Sequence, residues 1–383
     1  MAFAHGACDF YSGIVPFVIF FDVARSGLPA WCQGTLAIAW YATSSIAQPI
    51  VGAYSDRKGQ WWFLPASLAL TAAAVSLAPA APSIGTLAAC VVAGGIGSAV
   101  MHPEAGRYSS LLGGAKRASA ISIFQIGGQI GYAVGPLVAA ELLAHAAPGA
   151  LFAMSAPGIV AALAIAIVLP AFARSADEAA PRRFAEAHEV PLGVDRISVA
   201  LLVVSTALRY LTGVSFAYYL PNLLTSRGLS LTATGAVVTA FLVAGALGLY
   251  AGGTTADRFG HGRVAIVGLV LAVPPLVAAV ALHGTGAVAA LLVGSVLLSV
   301  QNAPGIVLAQ SLLPRNLGTA LGLMNGVAFG IGSVGVALAG VLVTRTSPAF
   351  ALELIATVPL VAACAYVVVE RRRAALQEGL TRG

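Results

Sequence analysis

A series of apolar runs is the feature that most constrains what this chain can fold into. Each run is about 20 residues long, the length at which a helix crosses the hydrocarbon core of a bilayer. Only 9% of the 383 residues are charged, against about 25% in ordinary soluble domains, so a single soluble core of this size is excluded. The runs predict twelve spans, near residues 3–23, 31–54, 61–79, 84–108, 117–143, 149–171, 198–221, 231–254, 263–282, 286–311, 317–343 and 348–369. The sequence therefore predicts an all-α integral membrane protein.

Lysine and arginine residues are divided unevenly between the two predicted sides of the membrane. If the first helix runs from inside to outside, sixteen lie on one side and three, Arg25, Arg227 and Arg345, on the other, while Arg209 lies within a span. This is the positive-inside pattern, and it predicts that both termini are cytoplasmic in a cell (inner) membrane. The net charge of +6 is a topology signal, and no nucleic-acid partner is expected.

One connection is long and polar, and it divides the chain. Residues 173–196 contain nine charged side chains and predict a cytoplasmic linker. The predicted domains are an N-terminal six-helix bundle (1–172), the linker, a C-terminal six-helix bundle (197–370) and a cytoplasmic tail (371–383).

The two halves contain the same motifs at a constant distance. The run Asp56-Arg57-Lys58-Gly59 recurs as Asp257-Arg258-Phe259-Gly260, 201 residues later. The same offset maps Gly27-Leu28 onto Gly228-Leu229, Pro103 onto Pro304 and Gly131 onto Gly332. Parallel six-helix repeats are typical of secondary transporters, whose substrate site lies near the midplane at the repeat interface.

The repeated loops resemble a known superfamily. Residues 52–59 resemble the loop between the second and third helices of the major facilitator superfamily, and Gly131-Tyr-Ala-Val-Gly135-Pro136 resembles its fifth-helix antiporter motif. Glycines allow helices to approach closely in lipid. The resemblance implies gating or conformational roles for Asp56, Arg57, Asp257, Arg258, Arg107, Gly131, Gly135 and Pro136.

Within that superfamily, the first 140 residues resemble the fosmidomycin resistance protein family. The resemblance is carried by His5-x-x-x-Asp9, Gln48-Pro49-Ile-Val-Gly52, His102-Pro103-Glu104 and the segment Ser122 to Leu137. Cys8 and Gln129 depart from the family pattern, in which asparagine is frequent at both places. The resemblance implies a twelve-helix, proton-driven exporter that confers resistance to a small toxic compound.

Four titratable residues in the first half are candidates for proton coupling. His5 and Asp9 are one helical turn apart and share a face. Glu104 is the first choice as proton carrier, with His102 near it. The alternative for Glu104 is a structural ion pair with Arg107, three residues on, and the alternative for His5 and Asp9 is simple hydration at the membrane interface.

Polar side chains elsewhere in the spans are candidates for substrate binding. The guanidinium of Arg209 suits a carboxylate or phosphonate; the alternative is that it reaches the headgroups at the start of its helix. The other candidates are Gln125, Gln129, Asn302, Asn325 and Tyr218, which could instead form hydrogen bonds between helices. The four cysteines have no metal spacing, so neither a metal nor a disulfide framework is expected.

We expect a secondary active transporter, and the preferred hypothesis is proton-coupled efflux (antiport) of a small toxic or drug-like compound by alternating access. An importer or facilitator of a small organic anion is the alternative, and a non-transporting membrane sensor or scaffold is a third class. No phosphate-binding loop or paired nucleophile is present in the sequence, so neither an enzyme nor a cofactor is expected. The expected partners are a small-molecule substrate, protons and the lipid bilayer, and a monomer is expected.

Overall fold

The computed structural model describes residues 1–48, 50–51, 61–112, 117–145, 152–179, 195–313, 320 and 323–382, without the side chains of residues 107, 110–112, 117–122, 173–179 and 376–382. Every regular element in this part of the chain is helical. The predicted loop residues Asp56 and Arg57, the Arg107 side chain and most of the predicted linker lie outside the described residues.

The helices of the first half are α1 (Ala2–Arg25), α2 (Trp31–Tyr41), α3 (Phe63–Leu77), α4 (Ile84–Leu112), α5 (Arg117–His145) and α6 (Ser155–Ala179). Those of the second half are α7 (Arg196–Ser226), α8 (Leu231–Phe259), α9 (His261–Ala281), α10 (Gly284–Ser299), α11 (Asn302–Leu312), α12 (Ala328–Arg345) and α13 (Pro348–Arg382). A π-helical turn, Ala42–Ile46, continues α2, and another, Leu323–Val327, precedes α12.

Eleven stretches among the described residues are long and apolar enough to cross a membrane. They correspond to eleven of the twelve predicted spans. The remaining predicted span, 31–54, contains α2 and its π-helical turn and runs into residues outside the description. The all-helical membrane architecture predicted from the apolar runs is confirmed.

The internal repeat is visible in the backbone at the ends of α1 and α7. Gly27 has a φ of 62° and Gly228, 201 residues later, has a φ of 84°, a left-handed conformation that favours glycine. The amide of Leu28 donates to the carbonyl of Val23 at 3.0 Å, and the amide of Leu229 donates to that of Leu224 at 3.1 Å. Both helices therefore end in the same glycine-dependent cap.

The chain divides into two compact units. The first comprises Met1–Glu189 and Leu224–Thr239, and the second comprises Val190–Leu223 and Ala240–Gly383. Residues 224–239 belong to the first unit because the start of α8 contacts α5. There the Thr239 hydroxyl accepts a hydrogen bond from the Leu137 amide at 3.1 Å.

The two units differ at the proline that the offset relates. In the first unit, α4 continues through Pro103 without interruption. In the second unit, α10 ends at Ser299 and α11 begins at Asn302, just before Pro304. The same sequence position therefore lies in a continuous helix in one unit and beside a two-residue turn in the other, where Val300 and Gln301 keep helical backbone angles.

Candidate functional site

Glycines bring α1 and α5 into direct backbone contact in the first unit. A Cβ added at Gly131 would overlap the carbonyl oxygen of Gly6, and one added at Gly135 would lie 2.6 Å from the carbonyl oxygen of Phe10. Gly13 on α1 similarly faces the backbone of Tyr132. The glycines of the fifth-helix motif thus have the close-approach role that the sequence predicted.

Beside this contact, a carboxylate lies between two imidazoles. Oδ2 of Asp9 is 3.1 Å from Nε2 of His5, and Oδ1 of Asp9 is 3.2 Å from Nε2 of His102. The imidazole rings meet edge to face with centroids 5.0 Å apart. We call these three side chains the proton cluster. His102 comes from α4, and the cluster therefore joins two helices.

The other nitrogen of each imidazole is held by a backbone carbonyl. Nδ1 of His5 lies 2.7 Å from the carbonyl oxygen of Phe124, whose ring stacks on the imidazole. Nδ1 of His102 lies 2.8 Å from the carbonyl oxygen of Ser98, one turn earlier in α4. Both rings are therefore fixed in orientation by main-chain atoms.

Gly128 on α5 packs directly against the proton cluster. A Cβ added at Gly128 would overlap the His5 ring and lie 2.7 Å from Oδ2 of Asp9. Only a residue without a side chain leaves room there for the imidazole and the carboxylate. The cluster is thus built from α1, α4 and α5 together.

The cluster offers two imidazole nitrogens and a carboxylate oxygen within 4.8 Å of one another, a donor set that suits a divalent cation. Each nitrogen, however, already lies at hydrogen-bond distance from its own carboxylate oxygen.

Glu104, the first choice as proton carrier, lies close along the same helix but takes no part in the contacts of Asp9. Its side chain is fully buried on α4, two residues beyond His102. From the sequence we expected His102 to act beside Glu104, whereas in the structure His102 contacts Asp9 and His5.

A second polar cluster lies in the second unit, where the helix break places Gln301. Nε2 of Gln301 donates to Oγ1 of Thr206 at 3.1 Å and to the hydroxyl of Tyr366 at 2.5 Å. These three side chains are buried, and we call them, with the neighbouring Arg209, the amide cluster. Buried polar groups of this kind are stable only when their hydrogen bonds are made.

Arg209 is the charged member of the amide cluster. Its residue is 6% exposed, and neither Nε nor Nη2 has a hydrogen-bond partner. The guanidinium lies over the ring of Tyr210, 3.8 Å from its centroid. Oε1 of Gln301 is also buried without a hydrogen bond. Buried donors and an acceptor without partners are costly, and a bound ligand that pairs with them would remove the cost.

The other predicted substrate residues are distributed more widely. Gln125 and Gln129 are exposed on α5, on either side of Gly128. Tyr218 is buried on α7. In the second unit, the Tyr210 hydroxyl donates to Oδ1 of Asn325 at 3.4 Å, and Asn302 is half-buried at the start of α11.

Asp257 and Arg258, the predicted gating pair of the second half, lie at the end of α8. Oδ1 of Asp257 is 3.6 Å from Nε2 of His261, which opens α9. A cavity of about 430 Å³ lies beside them, and it is lined by Phe259, Gly260, His261, Gly262, Arg263, Val307, Leu308, Ser311, Glu370 and Arg373.

Outside the spans, one carboxylate ties two helices of the second unit together. Asp195 accepts hydrogen bonds from Nε and Nη2 of Arg372, both at 3.2 Å, and from the hydroxyl of Ser198 at 2.6 Å. These bonds, those from Arg372 foremost, lower the pKa of Asp195 to about 2. The start of α7 is thereby attached to α13.

Sequence reasoning missed three buried polar residues. Thr206 and Tyr366 complete the amide cluster. The offset of 201 maps His5 onto Thr206, so the internal repeat could have pointed to Thr206. Asp22, near the end of α1, is 3% exposed, with one oxygen 2.8 Å from Arg25 and the other without a hydrogen bond. Its distance from the conspicuous motifs explains why it was not selected.

Comparisons with known proteins agree with this architecture. A family model described as Major Facilitator Superfamily matches residues 7–204 and 202–382. The fosmidomycin resistance protein of Escherichia coli (strain K12) is 32% identical over 337 residues, which cover 85% of this chain and 81% of that protein. An uncharacterized MFS-type transporter of Bacillus subtilis (strain 168) is 31% identical over 347 residues, covering 87% of this chain and 83% of that protein.

Solved structures of transporters share the fold. A bacterial homolog of the human lysosomal transporter Spinster, in an inward-facing and occupied conformation, aligns with a TM-score of 0.77 and 16% identity over 97% of this chain and 96% of that chain. The nucleoside transporter NupG aligns with a TM-score of 0.71 and 14% identity over 96% of this chain and 97% of its own. The predicted fold of two six-helix bundles is confirmed.

Proposed function

This chain belongs to the major facilitator superfamily of transporters, and on that premise we propose that it exports a small toxic or drug-like compound in exchange for protons. It would do so by alternating access, as a monomer in the cell (inner) membrane with both termini in the cytoplasm. The similarity to a fosmidomycin resistance protein supports export.

The observation that carries the proposal is the proton cluster. Asp9 lies between two imidazoles among apolar helices, and its side chain is 16% exposed. Ionisable groups within membrane helices are expensive to keep and mark proton relays and substrate paths. Histidine exchanges protons near neutral pH without any special environment, and the carboxylate links both rings.

Protons supply enough free energy for this task. Each proton that enters down a potential of 100 mV provides about 2.3 kcal/mol. Because about 1.4 kcal/mol corresponds to a tenfold concentration ratio, a single proton supports a gradient of more than tenfold. Such a carrier keeps the cytoplasmic concentration of a toxic compound low.

For the substrate, we propose that Arg209 binds an anionic group. Its buried donors without partners favour a carboxylate, phosphate or phosphonate oxygen. Gln125, Gln129, Asn302, Asn325 and Tyr218 are proposed to contribute neutral hydrogen bonds. The same arginine favours the second candidate function, import or facilitated passage of a small organic anion.

Proteoliposomes that contain the purified full chain and a pH-sensitive dye test the direction of coupling. Fosmidomycin is added outside vesicles with an acidic lumen, and fosmidomycin is expected to enter the vesicles as protons leave them. Asp9→Asn is expected to abolish this proton movement. Glu141→Gln, which changes an exposed carboxylate near the end of α5, is the matched control and should transport normally.

Other outcomes would replace the proposal. Protons and fosmidomycin moving in the same direction would indicate import, and fosmidomycin moving without protons would indicate a facilitator. Glu104→Gln separates the two carboxylates: undiminished proton-dependent transport would remove Glu104 as a carrier, and abolished transport together with an active Asp9→Asn variant would make Glu104 the carrier.

A further inference from the structure

The geometry of the proton cluster fixes how many protons it holds, and we infer that it is a two-proton carrier with one proton on each imidazole–carboxylate contact. The inference rests on the proposed antiport only for its consequence in transport. The number of protons is a property of His5, Asp9 and His102 themselves, and it can be measured without a substrate.

The Nδ1 atoms of both imidazoles face main-chain carbonyl oxygens. A carbonyl oxygen only accepts hydrogen bonds. Because Nδ1 of His5 lies 2.7 Å from the Phe124 carbonyl and Nδ1 of His102 lies 2.8 Å from the Ser98 carbonyl, both atoms carry hydrogen. A neutral imidazole with hydrogen on Nδ1 has a bare Nε2. The tautomer of both rings is thus set by the main chain.

The Nε2 atoms of both imidazoles face the Asp9 carboxylate. A bare nitrogen opposite an ionised carboxylate oxygen places two acceptors 3.1–3.2 Å apart, which is repulsive without a proton between them. Each contact therefore needs a proton of its own, wherever it resides along the N···O line. With two protons the cluster has a charge of +1, with one it is neutral, and with none it has a charge of −1.

Other titratable groups lie near the cluster. Cys8 on α1 and Tyr132 on α5 are electrostatically coupled to Asp9. Unperturbed thiols and phenols titrate near about 8.5 and 10, so both groups are neutral donors around neutral pH. Glu104 on α4 is buried but takes no part in either contact. The two protons therefore belong to the cluster.

The two contacts of Asp9 differ in exposure and in the helices that they join. The side chains of Asp9 and His102 are 16% and 24% exposed, whereas that of His5 is 5% exposed. The contact between Asp9 and His5 lies within α1, and the contact between Asp9 and His102 joins α1 to α4. Loss of the proton between Asp9 and His102 leaves two acceptors facing one another, which favours a conformation in which these helices separate.

Imidazole ¹⁵N NMR spectra of the chain in nanodiscs count the protons directly. In the test variant His145, His188, His261 and His283 are replaced by Gln, so that only His5 and His102 remain. Over about pH 4 to 9, the range in which imidazoles titrate, two imidazolium signals are expected to convert to the neutral form in two coupled steps. A single titrating imidazole would overturn the inference.

Asp9→Asn in the same background provides an internal check. An amide accepts from one Nε2–H and donates to the other Nε2, so one imidazolium is expected at a pH where the parent has two. Two imidazolium ions in the amide variant would contradict the assignment. If the background variant does not fold, His5→Gln and His102→Gln in the otherwise unchanged chain should each remove one of the two signals.

The transport arm measures stoichiometry in the proteoliposomes, with the membrane potential clamped at zero. The fosmidomycin gradient that stops net flux across one pH unit is expected to be about 100-fold for two protons and about tenfold for one. A tenfold value would overturn the two-proton carrier. Absence of any proton movement would refute the proposed antiport instead, and the NMR count alone would then decide the inference.

Discussion

The two units of this transporter treat the same sequence position differently. At Pro103 the helix of the first unit continues, and the residue before the proline, His102, reaches the Asp9 carboxylate. At Pro304 the helix of the second unit is interrupted, and the break places Gln301 against Thr206 and Tyr366. A proline removes one backbone donor and disturbs the preceding turn.

The two clusters contain different side chains at positions that the offset relates. The offset of 201 places Thr206 where the first unit has His5, and Tyr210 where it has Asp9. The first cluster thereby contains two imidazoles and a carboxylate, and the second contains the permanent positive charge of Arg209. We propose that the division reflects a division of labour between proton coupling and substrate binding.

The strongest test of this division is a variant that loses fosmidomycin affinity but keeps its proton coupling. Arg209→Gln is expected to raise the half-saturating fosmidomycin concentration at least about tenfold, because a charge-assisted hydrogen bond contributes about 1.5–3 kcal/mol. The number of protons per fosmidomycin should stay unchanged. Arg209→Lys, which keeps the charge without the planar fork, should recover part of the affinity.

The readouts are initial rates over a range of fosmidomycin concentrations and the stoichiometry in the same vesicles. A changed proton number in Arg209→Gln would break the comparison, since it would mean that the amide cluster takes part in coupling. Unchanged affinity in both variants would exclude Arg209 as the substrate anchor.

Much of the fold could be predicted from the sequence because its signals are local. Apolar runs set the helices, and the capping glycines Gly27 and Gly228 follow directly from the repeat. The residues of the proton cluster were also selected, since ionisable groups in apolar runs are conspicuous. The contact of His102 with Asp9 was not predicted, because the two residues meet only after α1 and α4 are packed together.

The amide cluster was less accessible from the sequence for a physical reason. Thr206 and Tyr366 are ordinary residues of apolar helices, and only tertiary contact with Gln301 shows that they form a network. The helix break before Pro304 was equally hidden. The equivalent Pro103 lies in an unbroken helix, so the proline alone does not predict a break.

Gly128→Ala probes how tightly the first cluster is enclosed. Because the added Cβ would overlap His5 and approach Asp9, we expect proton-coupled transport to fall and stability to drop by about 1–3 kcal/mol, the usual cost of overpacking. Gly253→Ala on α8 is the matched control, since its Cβ would lie 3.6 Å from the nearest atom, an ordinary contact. Thermal unfolding in detergent measures the change in stability, and the proton-flux assay measures the change in transport. Equal stability and equal transport in the two variants would show that the cluster has room for the added methyl group.

Asp195→Asn gives the smallest expected effect. The substitution removes the carboxylate that attaches α7 to α13 in the second unit. The carboxylate caps α7 and binds Arg372, so its loss should lower the unfolding free energy by about 1 kcal/mol at neutral pH. The native pKa of about 2 lies below the value of about 3.9 for an unfolded chain. The stabilisation is therefore present above about pH 4 and is lost as the pH falls through 2. Melting temperatures of the variant and the parent should converge over that interval, and a difference that persisted at the acidic end would mean that the contact acts through packing instead of charge.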